Sequence, residues 1–130
     1  MKVLVIDDDP AMTELLKIQL QSDLVTVETA YSGEEGLKMV RKTNPDIIIL
    51  DLLMPEMDGW QTCKKIREIC QTPILILSAL DNPAIVATAL DAGADDYLIK
   101  PVSASILNAY LVNLTRRSRA KTEKFHTITI

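Results

Sequence analysis

The strongest constraint in this sequence is a rhythm, a short apolar run followed by a helical pattern, repeated five times between Lys2 and about Arg117. Lys2–Ile6 reads as a strand, and Asp9-Pro10 then supplies an N-cap and a first-turn proline. The helix that follows runs to about Gln21 and is expected to bury Met12, Leu15, Leu16 and Leu20. Val25–Thr29 alternates like a strand nearer an edge, and Ser32-Gly33-Glu34-Glu35 is a capping-box signature opening a second helix to about Lys42. Asp46–Leu50 is a continuous apolar strand, and Asp58-Gly59 leads into a helix through Cys70. Ile74–Leu77 is another buried strand, and Asn82-Pro83 caps a fourth helix ending at Gly93, which reads as the C′ residue just past the C-cap. Tyr97–Ile99 is the fifth strand, and Ser103 opens a last helix to about Arg117.

Continuous apolar strands alternating with helices mean a parallel sheet covered on both faces. Five such units predict an α/β, doubly wound, five-stranded sheet in the order 2-1-3-4-5. A closed eight-unit barrel would need about twice the 130 residues present. Residues 118–130 fall outside the pattern, so the division is a domain at 1–117 and a linker at 118–130. Within that linker Thr127–Ile130 reads as one strand without partners, the start of something else.

Charge and cysteine content narrow the function classes. Residues 1–115 carry nine Lys/Arg against 17 Asp/Glu, a net −8, whereas residues 116–130 carry five against one, a net +4. A body that acidic repels phosphate backbones, so nucleic-acid binding by the domain itself is not expected. Arg116, Arg117, Arg119, Lys121 and Lys124 read as a solvated helix end. No apolar run approaches the ~18–20 residues of a membrane span, and the N-terminus has no signal-peptide layout. Cys63 and Cys70 lie seven residues apart in a helical pattern, about 10 Å along the axis, too far for a disulfide. With no zinc spacing either, a reducing cytoplasm fits best.

In open α/β sheets a ligand sits beyond the carboxyl ends of the strands, where the winding reverses. Asp7, Asp8 and Asp9 follow the first strand, Asp51 ends the third, Ser78 the fourth and Lys100 the fifth. Asp9 reads as a helix cap. Asp7, Asp8 and Asp51 together read as chemistry, because two unit charges ~5 Å apart repel by about 3 kcal/mol at an effective dielectric of 20. A hard divalent ion relieves that repulsion, and few ligands plus waters suit Mg²⁺ better than Ca²⁺. Lys100 and the Ser78 hydroxyl are then left to hold an anion bridging to the metal, and phosphoryl is the natural one. Asp51 lies at the centre, and a carboxylate ionised at neutral pH attacks phosphorus without a general base. The single histidine, His126, lies in the tail and reads as incidental.

The stretches VLVIDDDP, PDIIILDLLMPEMDG, PILILSA and GADDYLIKP, in this order, resemble the receiver domain of two-component response regulators, a flavodoxin-like (βα)₅ fold. The resemblance covers about residues 1–115. It implies that Asp51 is the phosphoacceptor and that Asp7 and Asp8 form the acidic pair. Mg²⁺ would be bound by Asp8, Asp51 and the Leu53 backbone carbonyl. Lys100 would pair with the phosphoryl group and precede a cis proline, while Ser78 and Tyr97 would be the switch residues. The donor would be a phosphohistidine on a sensor histidine kinase, and the chain would catalyse only its own phosphorylation and dephosphorylation. The output face would be formed by the fourth helix, fifth strand and fifth helix, and would pair two receivers.

Two departures from the pattern carry expectations. In the winged-helix transcription-factor class that face is tied by charges, but here Val86, Ile106, Tyr110 and Val112 stand at positions that tend to be charged. The implied surface is more apolar, with Ile85, Val86, Ile106 and Tyr110 as candidates; some of them could instead widen the buried stripe beside Leu107, Leu111 and Leu114. Leu53 and Leu80 occupy positions that tune hydrolysis in the family, and hydrocarbon there implies a long-lived aspartyl phosphate. The tail resembles a linker into a winged-helix DNA-binding domain, so DNA would be met only through a missing C-terminal domain; a stand-alone receiver is the alternative. An aspartate-nucleophile phosphatase would want a second acid where Leu53 stands, and a flavin carrier would not tolerate Asp7-Asp8-Asp9 beside a phosphate. A phosphorylation-independent interaction module would have no use for the filled chemical positions.

Overall fold

In a computed structural model of the chain, which describes residues 1–128 and side chains through Ala120, five strands and five helices alternate. They are β1 (Lys2–Ile6), α1 (Pro10–Leu20), β2 (Thr26–Ala30), α2 (Gly33–Thr43), β3 (Ile47–Leu50), α3 (Gly59–Ile69), β4 (Ile74–Ser78), α4 (Pro83–Asp91), β5 (Asp96–Ile99) and α5 (Ala104–Ile128). All strands are parallel and run in the order β2-β1-β3-β4-β5, as the sequence rhythm requires. Each helix covers the sheet because successive strand side chains point to opposite faces. Leu4, Ile6, Ile48, Leu50, Ile74 and Ile76 meet Leu37 and Val40 of α2, Cys63 and Ile66 of α3, and Ala89 of α4. Val3, Val5, Ile47, Ile49, Leu75 and Leu77 meet Leu16 and Leu20 of α1 and Leu107, Leu111 and Leu114 of α5.

Local signals set the helix starts. Asp9 accepts hydrogen bonds from the Ala11 and Met12 amides, Ser32 from Glu35, Asp58 from Gln61 and Asn82 from Ala84, each capping a first turn. The capping box at α2 closes reciprocally, with Glu35 accepting from the Tyr31 amide.

The structure corrects two expectations. Leu15 is 47% exposed rather than core, because α1 turns Thr13, Leu16 and Leu20 inward. Thr13 tolerates burial by donating its hydroxyl to the Pro10 carbonyl. The end of α4 is as expected: the helix stops at Asp91 with Ala92 as its C-cap, so Gly93 is the first residue past the cap, and its φ of 117° makes the turn into β5. The tail strand is not formed: α5 continues through Ile128, so Thr127 and Ile128 are helical, while residues 129–130 lie outside the described residues. An isolated strand has no ladder partner for its amides, whereas a helix free of Gly and Pro satisfies its own. Side chains from Lys121 on, His126 included, also lie outside the described residues.

Candidate functional site

Four parallel strands end together and hand their next polar residue to one crevice. β1 stops at Ile6, yet the Asp7 amide still donates to the Ala30 carbonyl at 3.1 Å, which fixes where its side chain starts. The Asp51 amide likewise donates to the Ile6 carbonyl at 3.0 Å, and the Lys100 amide to the Ser78 carbonyl at 2.9 Å. The helix α3 begins hard against the end of β3. The Gly59 amide donates to the Leu52 carbonyl, and a Cβ at Gly59 would overlap the Asp51 carbonyl oxygen. The sequence therefore needs glycine at that close approach.

Asp7, Asp8 and Asp51 each present a carboxylate oxygen within 4.8 Å of the others. Asp7 is 3% exposed and Asp51 7%, while Asp8 is open to solvent. Asp51 accepts the Leu53 amide on Oδ1 at 3.2 Å, and Asp7 accepts the Asp9 amide on Oδ1 at 3.0 Å. The Lys100 ammonium spans both buried acids, reaching Asp7 Oδ2 at 3.0 Å and Asp51 Oδ2 at 3.2 Å. The Lys100–Pro101 peptide bond is cis.

The electrostatics are asymmetric. Burial is the main force on Asp7 and lifts its pKa above the ordinary carboxylate value; the Asp9 amide and Lys100 oppose this, and the Asp51 charge reinforces it. Burial works against the Lys100 ammonium too, but the hydrogen bond to Asp7 and the Asp51 charge outweigh it and raise its pKa. One cation thus serves two buried carboxylates and neutralises only part of the cluster. All three acids offer hard oxygen donors in one small volume, so the residues present fit a divalent oxygen-binding cation.

Ser78 is fully buried, its Oγ accepting the Leu80 amide at 3.3 Å. Tyr97 on β5 packs beside the core, and its hydroxyl donates to the Leu80 carbonyl at 2.6 Å, reaching back across the β4–α4 loop. Burial, first of all, pushes the Tyr97 hydroxyl upward, so it stays a donor. Leu53 is half exposed beside Asp51, and Leu80 is partly buried.

Asp7, Asp8, Asp51 and Lys100 thus gather in one crevice, Ser78 ends the neighbouring strand β4, Tyr97 is tied to the loop after it, and for Leu53 only the amide contact to Asp51 is defined. Sequence reasoning missed that Lys100 grips Asp7 as well as Asp51, and missed the Tyr97 bond to the Leu80 carbonyl. These join residues 93 and 17 positions apart, and no local spacing encodes them. On α4 and α5, Ile106 is half exposed and Val86 partly buried, while Ile85 and Tyr110 pack against the core. Leu90 and Ile99 add exposed apolar surface that the pattern did not single out. Among the described residues no helix is long and apolar enough to cross a membrane.

Both the sequence and the fold are similar to those of known proteins. The transcriptional regulatory protein AfsQ1 of Streptomyces coelicolor is 41% identical over 115 residues, which is 88% of this chain and 51% of that protein. The chain therefore spans about half the length of the curated relatives it matches. Among solved structures, the receiver domain of Francisella response regulator 1452 superposes with a TM-score of 0.84 at 36% identity, covering 90% of this chain and 98% of that one. The BeF₃-activated receiver domain of RstA from Klebsiella pneumoniae gives 0.85 at 28%, covering 89% and 99%. Residues 3–112 match the response regulator receiver domain family, and with the fold order and the acid cluster both in place, the chain belongs to that family.

Proposed function

We propose that this chain is a phosphoacceptor that takes a phosphoryl group onto Asp51 from a phosphohistidine of a sensor histidine kinase, and that the modified form controls transcription. The observation that carries this is the position of Asp51, nearly buried yet at the mouth of the crevice, with Lys100 at 3.2 Å and two more acids beside it. A carboxylate oxygen of Asp51 attacks phosphorus, the P–N bond breaks, and the imidazole leaves as a neutral ring after taking a proton. Asp8, Asp51 and the Leu53 carbonyl would hold Mg²⁺, with Asp7 as the neighbouring acid. Bound there, the ion would offset the charge of the transferring group. Lys100 would then shift its ammonium from the carboxylates to the new phosphoryl oxygens, and Ser78 would donate its hydroxyl to another.

The reaction modifies the chain itself, so the protein is not an enzyme in the turnover sense. Two free thiols favour a cytoplasmic setting. Contact with DNA would come through a further domain, in line with transcriptional relatives about twice as long. The test is intact mass after incubation with Mg²⁺ and acetyl phosphate. A gain of one phosphoryl group, lost on adding hydroxylamine and absent with a magnesium chelator, is expected. No adduct, or one indifferent to the chelator, rejects the proposal.

Leu53 and Leu80 flank the acceptor with hydrocarbon, and neither can orient an attacking water. The aspartyl phosphate should therefore decay slowly, and Leu53→Asn should speed decay roughly tenfold, a barrier change of ~1.4 kcal/mol. An unchanged decay rate rejects this reading. The activated partner would be a second copy meeting through α4, β5 and α5, with Ile106, Leu90 and Ile99 exposed there. Sedimentation with beryllofluoride should show dimerisation that survives ~0.5 M salt, since apolar contacts escape screening. Dimers that dissolve in salt would instead assign the interface to ion pairs.

A further inference from the structure

α4 is held very unequally at its two ends. Only Ala89, in its last turns, is buried, while Pro83, Ala84, Ala87 and Thr88 are exposed. Past its C-terminus, Arg67 of α3 binds three acceptors at once: Nε donates to the Gly93 carbonyl at 2.9 Å, Nη1 to the Thr72 carbonyl at 2.6 Å and Nη2 to Asp95 Oδ2 at 2.6 Å. The same Asp95 oxygen takes the Ile74 amide at 2.8 Å, and the Asp95 amide donates to the Ile74 carbonyl at 2.8 Å. One turn earlier on α3, the Cys63 thiol reaches the Ala92 carbonyl at 3.7 Å. Gly93 lets the turn come this close, because a Cβ there would lie 2.6 Å from Arg67 Cγ.

The end of α4 nearest Asp51 has no comparable anchor. The loop before it is tied back by the Tyr97 hydroxyl on the Leu80 carbonyl and by the Leu80 amide on Ser78 Oγ. Both ties involve side chains that the phosphorylation reading requires to move. The Arg67 contacts involve none of them.

We propose that Arg67 is a positioning residue whose fork clamps the α4–β5 turn as a fixed pivot, so that α4 responds to Asp51 by swinging at its N-terminal end. The swing rests on the phosphoacceptor reading; the clamp does not. The strength of the clamp lies in its geometry more than in its charge, since Asp95 is about a third exposed and an isolated pair of that kind contributes little. A planar guanidinium meeting two carbonyls and a carboxylate in fixed directions is what a lysine cannot reproduce.

Amide hydrogen exchange on the full chain decides it. Without ligand, Arg67→Met should raise exchange at residues 92–95 at least tenfold while β1 and β3 keep wild-type protection. Arg67→Lys should recover part of the loss, and Asp95→Asn, which retains the fold's polar contact to Ile74, should reproduce a smaller local rise. In the wild type, diluted until sedimentation shows monomer alone, Mg²⁺ with beryllofluoride should change exchange at residues 79–87 and leave 92–95 untouched; in Arg67→Met the change should spread to 92–95. Unchanged exchange at 92–95 in Arg67→Met, an equal rise throughout the sheet, or a wild-type ligand response as large at 92–95 as at 79–87 each overturns the proposal. Fluorine NMR reports whether beryllofluoride is bound. If it is not, the phosphoacceptor reading fails and the swing with it, and the ligand-free comparison decides the clamp alone.

Discussion

An Asp51→Asn protein should take up no phosphoryl group from acetyl phosphate, with labelling at least ~1000-fold below wild type, a barrier increase of about 4 kcal/mol. An amide oxygen has neither the charge nor the basicity to attack phosphorus, and nothing nearby can replace it. Asp7 is more deeply buried than Asp51, with Oδ1 on the Asp9 amide and Oδ2 on Lys100. Asp8 is exposed, and the Lys100 ammonium pairs with Asp7 and Asp51. The fold should survive the change, because Asn keeps the shape of Asp and still accepts the Leu53 amide that now meets Oδ1. Removing one of three clustered charges also relieves repulsion, so the melting temperature should not fall. Intact mass and a thermal melt on the same sample separate lost chemistry from lost structure. Normal labelling of Asp51→Asn would place the nucleophile elsewhere and overturn the functional reading.

That polar groups would collect at one sheet edge was legible in the sequence for one physical reason. Asp7, Asp51, Ser78 and Lys100 each sit at the end of a buried apolar run, and a parallel sheet brings such ends to one edge. Strand order was legible because Ile47–Leu50 and Ile74–Ser78 are buried throughout, which only interior strands require. What the pattern lacked was azimuth. Leu15 and Leu16 are adjacent leucines, and a helical period of 3.6 does not decide which of them faces the sheet; the structure buries Leu16 and leaves Leu15 half exposed. Long-range polar pairs were equally hidden. Arg67 and Asp95 are 28 residues apart, and nothing local to either marks a partner. The end of α5 misled for the opposite reason: β-branched Thr127 and Ile128 favour a strand locally, but a strand with no neighbour leaves its amides unpaired.

Asp7→Asn should make the metal-free protein more stable and the magnesium-bound protein less so. Asp7 is 3% exposed, and burial is the leading force against its charge, with Asp51 adding to it; the Asp9 amide and Lys100 do not fully compensate. Its folded pKa therefore lies above the unfolded value, 3.8. For an acid shifted that way, the folded state carries an unfavourable charge at neutral pH. As pH falls through the folded pKa the native protein takes up a proton before the unfolded chain does, and stability rises until the unfolded value is reached. Asn holds the same volume, accepts from Asp9 and carries no charge, so it should have that gain already at pH 7. A gain of about 1 kcal/mol would raise the melting temperature by roughly 3 °C for a domain of this size. The advantage over wild type should shrink as the pH is lowered toward the carboxylate range, because only wild type still has a proton to gain. Magnesium should reverse the order: a cation that binds only the native state stabilises by mass action, and losing one clustered acid weakens that binding by about tenfold or more. Thermal melts of both proteins, at pH 7 and pH 5 and with and without magnesium at about 100 times its wild-type Kd, test all three signs. If Asp7→Asn melts below wild type in the absence of magnesium, the carboxylate is holding the fold together, and its burial beside Asp51 is not the electrostatic burden described above.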